Sequence, residues 1–193
     1  MTEMRTFVAV PLTDPHKRIL HEQTLQWRTT LPFRKWVHQA DYHITLKFLG
    51  ATAPDLLEAI SRNLSLIASE TASFSLSIGG LGTFGPAQSP SVLWAKLGGQ
   101  LDKLDDLQGR AENALSQLGF PRENRPYRPH VTIARKYSGN EPLSPDILQT
   151  IRLKNKDGQA LQWHVPEIVL YQSHLDRNPM YEAVASFALP QAD

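Results

Sequence analysis

Apolar and polar positions along this chain change period several times, and each change marks an element. Thr6 to Leu12 is a continuous apolar run and predicts a buried strand. Asp14 followed by Pro15 is a helix-opening pair, and the helix runs to about Thr29 with Ile19, Leu20 and Trp27 near one face. From Tyr42 to Leu49 the period is two. Tyr42, Ile44, Leu46 and Phe48 form one face, and His43, Thr45 and Lys47 the other. Pro54 opens a second helix, with Leu56, Leu57, Ile60, Leu64 and Ile67 at helical spacing. Phe74, Leu76 and Ile78 alternate with serines and predict a half-buried strand, while Gly79 to Pro90 reads as a glycine- and proline-punctuated connection. Ser91 to Leu97 predicts a strand. A helix carrying Leu101, Leu104, Leu107, Ala111, Leu115 and Leu118 follows, ended by Gly119. Pro129 to Ala134 is a strand, Ser144-Pro145 starts a short helix, and Gln162 to Ser173 and Met180 to Leu189 are the final strands. Strands and helices mix throughout, which predicts an α+β (mixed α/β) fold with at least one largely antiparallel sheet.

Two of the predicted strands carry the same four-residue phrase. His43-Ile44-Thr45-Leu46 and His130-Val131-Thr132-Ile133 both read histidine, apolar, threonine, apolar. Successive strand side chains point to opposite faces, so each copy sets one imidazole and one hydroxyl side by side, with the apolar pair turned to a core. Two such strands facing across a groove supply two general acid–base groups and two hydroxyl donors. Histidine titrates near 6.5, which suits proton transfer near neutrality, and a hydroxyl is suited to a phosphate oxygen on which charge develops.

Composition narrows the setting. The formal net charge is only +1, so no global field draws the protein to nucleic acid. The local balance differs: Arg122, Arg125, Arg128, Arg135 and Lys136 stand against a single acid, Glu123, around the second phrase, and Arg34, Lys35 and Lys47 lie near the first. Basic enrichment at the motifs of a nearly neutral chain points to a focused anionic ligand. The absence of cysteine excludes disulfides, thiolate nucleophiles and cysteine-ligated metals. No acid lies within either phrase, and a metal site usually needs three protein ligands, so neither metal nor cofactor is expected. Met1 to Val10 lacks the pattern of a secretory leader, and no apolar run approaches the roughly 20 residues of a membrane helix. The expectation is a monomeric, cytoplasmic protein with no membrane partner.

The flanks of the two phrases carry further information. His43 to Gly50 reads His-Ile-Thr-Leu-Lys-Phe-Leu-Gly, Arg128 to Arg135 reads Arg-Pro-His-Val-Thr-Ile-Ala-Arg, and Leu170 to Ser173 reads Leu-Tyr-Gln-Ser. With these flanks the chain resembles the 2H phosphoesterase superfamily, and more narrowly the RNA 2',3'-cyclic phosphodiesterases, also described as 2'-5' RNA ligases. The resemblance covers nearly the whole chain. It implies that residues 1–193 form a single domain of two similar lobes, whose antiparallel sheets line a central cleft with one motif on each side. It also implies hydrolysis of 2',3'-cyclic phosphate ends of RNA or nucleotides to 2'-phosphomonoesters. Sequence chemistry alone does not choose which imidazole is acid and which is base; the resemblance makes His43 the general acid and His130 the general base. Thr45 and Thr132 would bind the phosphate. Arg135 lies three residues past Thr132, where strict alternation turns it to the other face; the family pattern places an arginine here near the phosphate, as a strand end or bulge permits. Arg128 is a second candidate cation. Phe48 and Tyr171 sit in apolar strands and read as core rather than as stacking platforms for a base, and Trp94 and Phe84 are read the same way.

Two other functions use parts of the same pattern. A 2'-5' RNA ligase runs the same transesterification with a ribose hydroxyl in place of water, but it needs a second RNA end held in place, and no long basic track is evident for one. A noncatalytic RNA-end binding module needs the cations and hydroxyls and has no use for two histidines.

Overall fold

The computed structural model describes residues 4–155 and 157–191. The bounds 1–193 and the Met1 to Val10 reading therefore reach, at residues 1–3, 156 and 192–193, outside the described residues. The chain begins with β1 (Met4–Pro11), α1 (Asp14–Trp27) and a short strand β2 (Phe33–Trp36), followed by β3 (His43–Thr52) and α2 (Leu57–Ser69). Then come β4 (Ser75–Phe84), β5 (Val92–Gly99), α3 (Leu101–Ser116) and β6 (His130–Tyr137). The last elements are α4 (Pro145–Thr150), β7 (Leu161–His164), β8 (Glu167–Ser173) and β9 (Tyr181–Ala188). The nine strands make one antiparallel sheet in the order β7-β4-β5-β6-β3-β1-β8-β9, with β2 added to β6. The fold is thus α+β, as the element pattern predicts.

The sheet divides at its centre into two halves. Four strands, β3-β1-β8-β9, lie on one side and four, β6-β5-β4-β7, on the other, and the register between β3 and β6 is one residue pair, Ile44 opposite Val131. Each half contains a strand–helix–strand unit, β1–α1–β3 and β5–α3–β6, and in each the second strand opens on the repeated phrase. Val165 and Pro166 alone carry the chain from β7, at one end of the strand order, to β8 near the other, so the sheet curls back on itself. The proline interrupts what the sequence reads as one strand, Gln162 to Ser173, because it has no N–H to give a ladder. The structure corrects a second boundary as well. β4 does not end at Ile78 but continues to Phe84 across a register shift that takes in Gly79 and Gly80. Glycines allow the bulge, and the punctuation that reads as a loop is a bent strand.

One contiguous core fixes the positions of both motif strands. Ile44, Leu46, Val131 and Ile133 are all essentially inaccessible to solvent and join Val8, Val10, Leu93 and the buried faces of the helices. α2 and α3 pack on each other, α3 against β3, and α2 against β8 and β9. Burying an aliphatic side chain of this size contributes about 1.5–3 kcal/mol. The same energy that seats Ile44 and Val131 therefore holds the histidine face of each strand away from the core.

Candidate active site

Both motif strands depart from simple alternation at the same place. In β3, Val8 pairs with Lys47 and Ala9 with Thr45, which leaves Leu46 as an extra residue. In β6, Leu93 pairs with Ala134 and Trp94 with Thr132, which leaves Ile133 extra. Each is a β-bulge, two residues opposed by one, and each inverts the phase of the residues just after it. Leu46 and Lys47 are consecutively buried, as are Ile133 and Ala134. The residue after each pair then emerges on the histidine face: Phe48 in one strand, Arg135 in the other.

This reverses the expected placement of two residues. Lys47, read on the open face, is 2% exposed, and its ammonium donates to Glu112 Oε1 of α3 at 2.5 Å and to the Pro121 carbonyl at 2.7 Å. It is an internal ion pair and not part of the basic surround. Phe48, read as core, is 62% exposed. The same inversion brings Arg135 onto the face of His130 and Thr132.

The two histidines are held alike. His43 Nδ1 lies 2.7 Å from the carbonyl of Asp41, and His130 Nδ1 lies 2.6 Å from the carbonyl of Arg128, in each case two residues back along the chain. A carbonyl only accepts, so Nδ1 carries the proton and the neutral ring presents Nε2 as its free nitrogen. His43 Nε2 accepts from Thr45 Oγ1 at 3.1 Å. Continuing the Ile44–Val131 register by one residue each way sets His43 opposite Thr132 and His130 opposite Thr45. All four side chains are half-buried.

The surroundings of the two rings differ. Phe7, Tyr181 and Tyr171 wall His43, with ring centroids at 4.9, 5.1 and 6.2 Å. His130 meets the edge or face of Phe84 at 4.9 Å and of Trp94 at 5.8 Å. Tyr171, Phe84 and Trp94, read from sequence as core, are half-buried walls of this site. Burial pushes His43 down to about 4; the Asp41 carbonyl opposes this, and His130, Arg135 and Lys17 reinforce it. Burial likewise lowers His130, opposed by the Arg128 carbonyl and reinforced by Arg135. In the free site both rings are therefore neutral at pH 7. Burial raises the phenols as well, Tyr171 to about 12, and Tyr181 with it, so both walls are uncharged donors.

Asp41 has a second task that its position in the sequence does not suggest. Its buried carboxylate accepts from the backbone N–H of Met180 at 2.9 Å and of Tyr181 at 3.2 Å. The residue that latches His43 through its carbonyl thus also ties down the β8–β9 turn that carries Tyr181. Arg128 reaches the site through its carbonyl; its side chain is exposed and makes no hydrogen bond or ion pair among the described residues. Among the described residues no three histidine, aspartate or glutamate side chains come together as a metal site, and no helix is long and apolar enough to cross a membrane.

Comparison with known proteins finds similar chains and folds. The family model of the 2'-5' RNA ligase superfamily matches residues 15–177. A Geobacillus stearothermophilus protein named RNA 2',3'-cyclic phosphodiesterase is 37% identical over 98% of this chain; the chain spans 58% of that relative's length. A Bacillus subtilis protein of the same name is 34% identical over 95% of both chains. Among solved structures, a Thermus thermophilus protein superposes with a TM-score of 0.78 at 25% identity, covering 98% of this chain and all of that one. Escherichia coli LigT complexed with 3'-AMP gives a TM-score of 0.73 at 25% identity, covering 98% of this chain and 99% of its own.

Proposed function

This chain belongs to the 2'-5' RNA ligase superfamily, and from that premise we propose that it is a hydrolase that opens 2',3'-cyclic phosphate ends of RNA or nucleotides to 2'-phosphomonoesters. The observation that carries the reading is the pair of imidazoles on adjoining strands, each latched through Nδ1 to a carbonyl two residues back, so that Nε2 is the unprotonated nitrogen of each neutral ring. In this reading residues 1–193 act as one domain of two pseudo-symmetric halves, and each half contributes one proton-transfer group.

The chemistry follows from those nitrogens. His130, neutral and with Nε2 unprotonated, takes a proton from the attacking water as an oxygen–phosphorus bond forms. His43, protonated at Nε2, gives a proton to the departing 3' oxygen as its bond to phosphorus breaks, which leaves the phosphate on the 2' oxygen. The assignment of acid to His43 and base to His130 comes from the family resemblance. Because His43 is neutral in the free site, its proton must be stabilised by the substrate itself. An anionic phosphate beside the ring offsets the charge of Arg135 and raises the pKa. Thr45 and Thr132 donate to non-bridging oxygens, Arg135 neutralises the charge that develops there, and Arg128 is a further exposed cation for the RNA backbone.

A noncatalytic RNA-end binder has no use for two oriented imidazoles with unprotonated Nε2 atoms. Ligation on 2'-5' linkages requires a second RNA end to displace water, so hydrolysis is the stronger reading. The test is turnover of an oligonucleotide with a 2',3'-cyclic phosphate end in the presence of EDTA, with the position of the product phosphate read out. Undiminished turnover to a 2'-phosphate is expected. A 3'-phosphate product would reverse the substrate in the site, and loss in EDTA with rescue by a divalent ion would overturn the two-histidine mechanism.

A further inference from the structure

A groove of about 650 Å³ borders the His130 half of the site. Its floor is the bent part of β4, Gly79 to Thr83, and its outer wall is α4 with the segment that follows it, through Arg152 to Lys154. Leu153 N–H donates to the Gly79 carbonyl at 2.9 Å and pins that wall to the floor. Three of the lining residues, Lys96, Arg152 and Lys154, are cationic, and none is acidic. Neither lysine side chain makes an ion pair or hydrogen bond among the described residues. Among the described residues the Arg152 guanidinium uses only Nη1, on the carbonyls of Gln149 and Ile151.

Register connects this groove to the imidazole. Lys96 on β5 pairs directly with His130 on β6, so the two side chains leave the same face of the sheet. On that face β4 presents Gly80, Gly82 and Phe84. A Cβ on Gly82 would lie 2.5 Å from the Trp94 ring, and one on Gly80 would lie 3.9 Å from Lys96 Cδ. Gly82 thus leaves room for the Trp94 ring, and His130, Trp94 and Lys96 share one face of the sheet that leads toward the groove. Strands are spaced about 4.8 Å apart, so the β4 floor lies roughly 10 Å from β6 across the sheet. That is the reach of the nucleotide next to the reacting end.

We propose that this groove is a subsite for single-stranded RNA, in which Lys96, Arg152 and Lys154 bind the backbone phosphate upstream of the nucleotide being opened. The inference rests on the phosphodiesterase reading and extends it: the preferred substrate is an oligonucleotide end and not a cyclic mononucleotide. The groove is open and carries few polar groups besides its cations, as suits recognition of charge and backbone rather than of base edges.

The test compares a trinucleotide ending in a 2',3'-cyclic phosphate with the corresponding 2',3'-cyclic mononucleotide, which lacks the upstream phosphate. In the Arg152→Ala/Lys154→Ala protein the ratio of kcat/KM for trinucleotide over mononucleotide should fall about tenfold or more. The salt slope of trinucleotide binding should become shallower by about 1.4, since each lost contact to a single strand contributes about 0.7. Lys154→Glu should lower the ratio further, and Arg62→Ala, on the far α2 surface, should leave it unchanged. An unchanged ratio, or an equal loss on both substrates, would overturn the subsite. Should the native protein open neither substrate, the phosphodiesterase reading fails and the groove is still decided by binding. A 5'-labelled trinucleotide with a 2'-phosphate must then bind more tightly than the mononucleotide, and the double variant must lose that preference.

Discussion

The two halves of the molecule are built on the same plan and finished differently. Each has a strand, a helix and a second strand that opens on histidine, apolar, threonine, apolar. Each latches its histidine to the carbonyl two residues back, and each bulges at the fourth residue of the phrase. The difference lies in what the bulge delivers. In the first half it buries Lys47 against Glu112 and turns Phe48 outward; in the second it buries Ala134 and turns Arg135 outward. Both imidazoles have aromatic walls, but burial depresses His43 strongly, whereas the second half adds the exposed Arg135 on the face of His130 and a basic groove at its flank. In the proposed mechanism the shared plan of the two halves supplies the two proton-transfer groups. The residues at the phase inversion supply the asymmetry that an acid and a base require.

The largest effect should come from removing either common element. His43→Ala and His130→Ala are each expected to lower kcat/KM on a cyclic phosphate by about 10² to 10⁴. The double variant should cost far less than the product of the two, because the groups act as a unit. Near-normal turnover in either single variant would end the two-histidine reading.

The next test addresses the half-specific ion pair. Glu112→Ala strands the buried Lys47 ammonium and should lower unfolding free energy by about 3–5 kcal/mol in urea denaturation. Lys47→Met with Glu112→Leu should restore most of that loss, since a well-packed apolar pair replaces the charges. A mild single-variant effect would mean that the pair is better hydrated than its burial indicates.

Arg135→Met takes the cation from the second half. Its loss removes a charge-assisted contact worth about 1.5–3 kcal/mol, or roughly tenfold to a hundredfold in kcat/KM. The pH profile should move with it. In the native protein kcat/KM should be bell-shaped with both limbs below 6.5, because burial and Arg135 lower both imidazoles. The limbs belong to the pair and not to either residue. Without the positive charge the protonated rings are less disfavoured, so both limbs should shift toward alkaline pH. A shift toward acid pH would show that Arg135 does not face the histidines.

Thr45→Val and Thr132→Val should have the smallest effects, about twofold to tenfold each, since each removes one hydroxyl donor and keeps the β-branched shape. Thr45→Val should be the larger of the two. Its hydroxyl also bonds His43 Nε2, whereas no such bond is made by Thr132 among the described residues. Equal losses would place both hydroxyls on the phosphate alone.

The repeated phrase, the strands that carry it, the helices between them and the mixed antiparallel architecture are all legible in the order of residues. Periodicity is a local property, and the apolar positions Ile44, Leu46, Val131 and Ile133 leave their histidines and threonines only one other face. What lies beyond each phrase is not legible in the same way. Strict alternation assigns Lys47 to the open face, Phe48 to the core and Arg135 away from His130, and one inserted residue per strand reverses all three. A bulge is set by pairing with the neighbouring strand, here β1 and β5, and no local pattern in β3 or β6 reports it. The same holds for Lys96, which lies beside His130 because β5 pairs with β6 in a register that sets the two opposite each other. It holds as well for the Asp41 carboxylate, whose partners are more than a hundred residues away at Met180 and Tyr181. Which residues can do the chemistry is written in their types and spacing. Which of them face one another is decided by strand pairing, because contacts between distant segments form only when the sheet assembles.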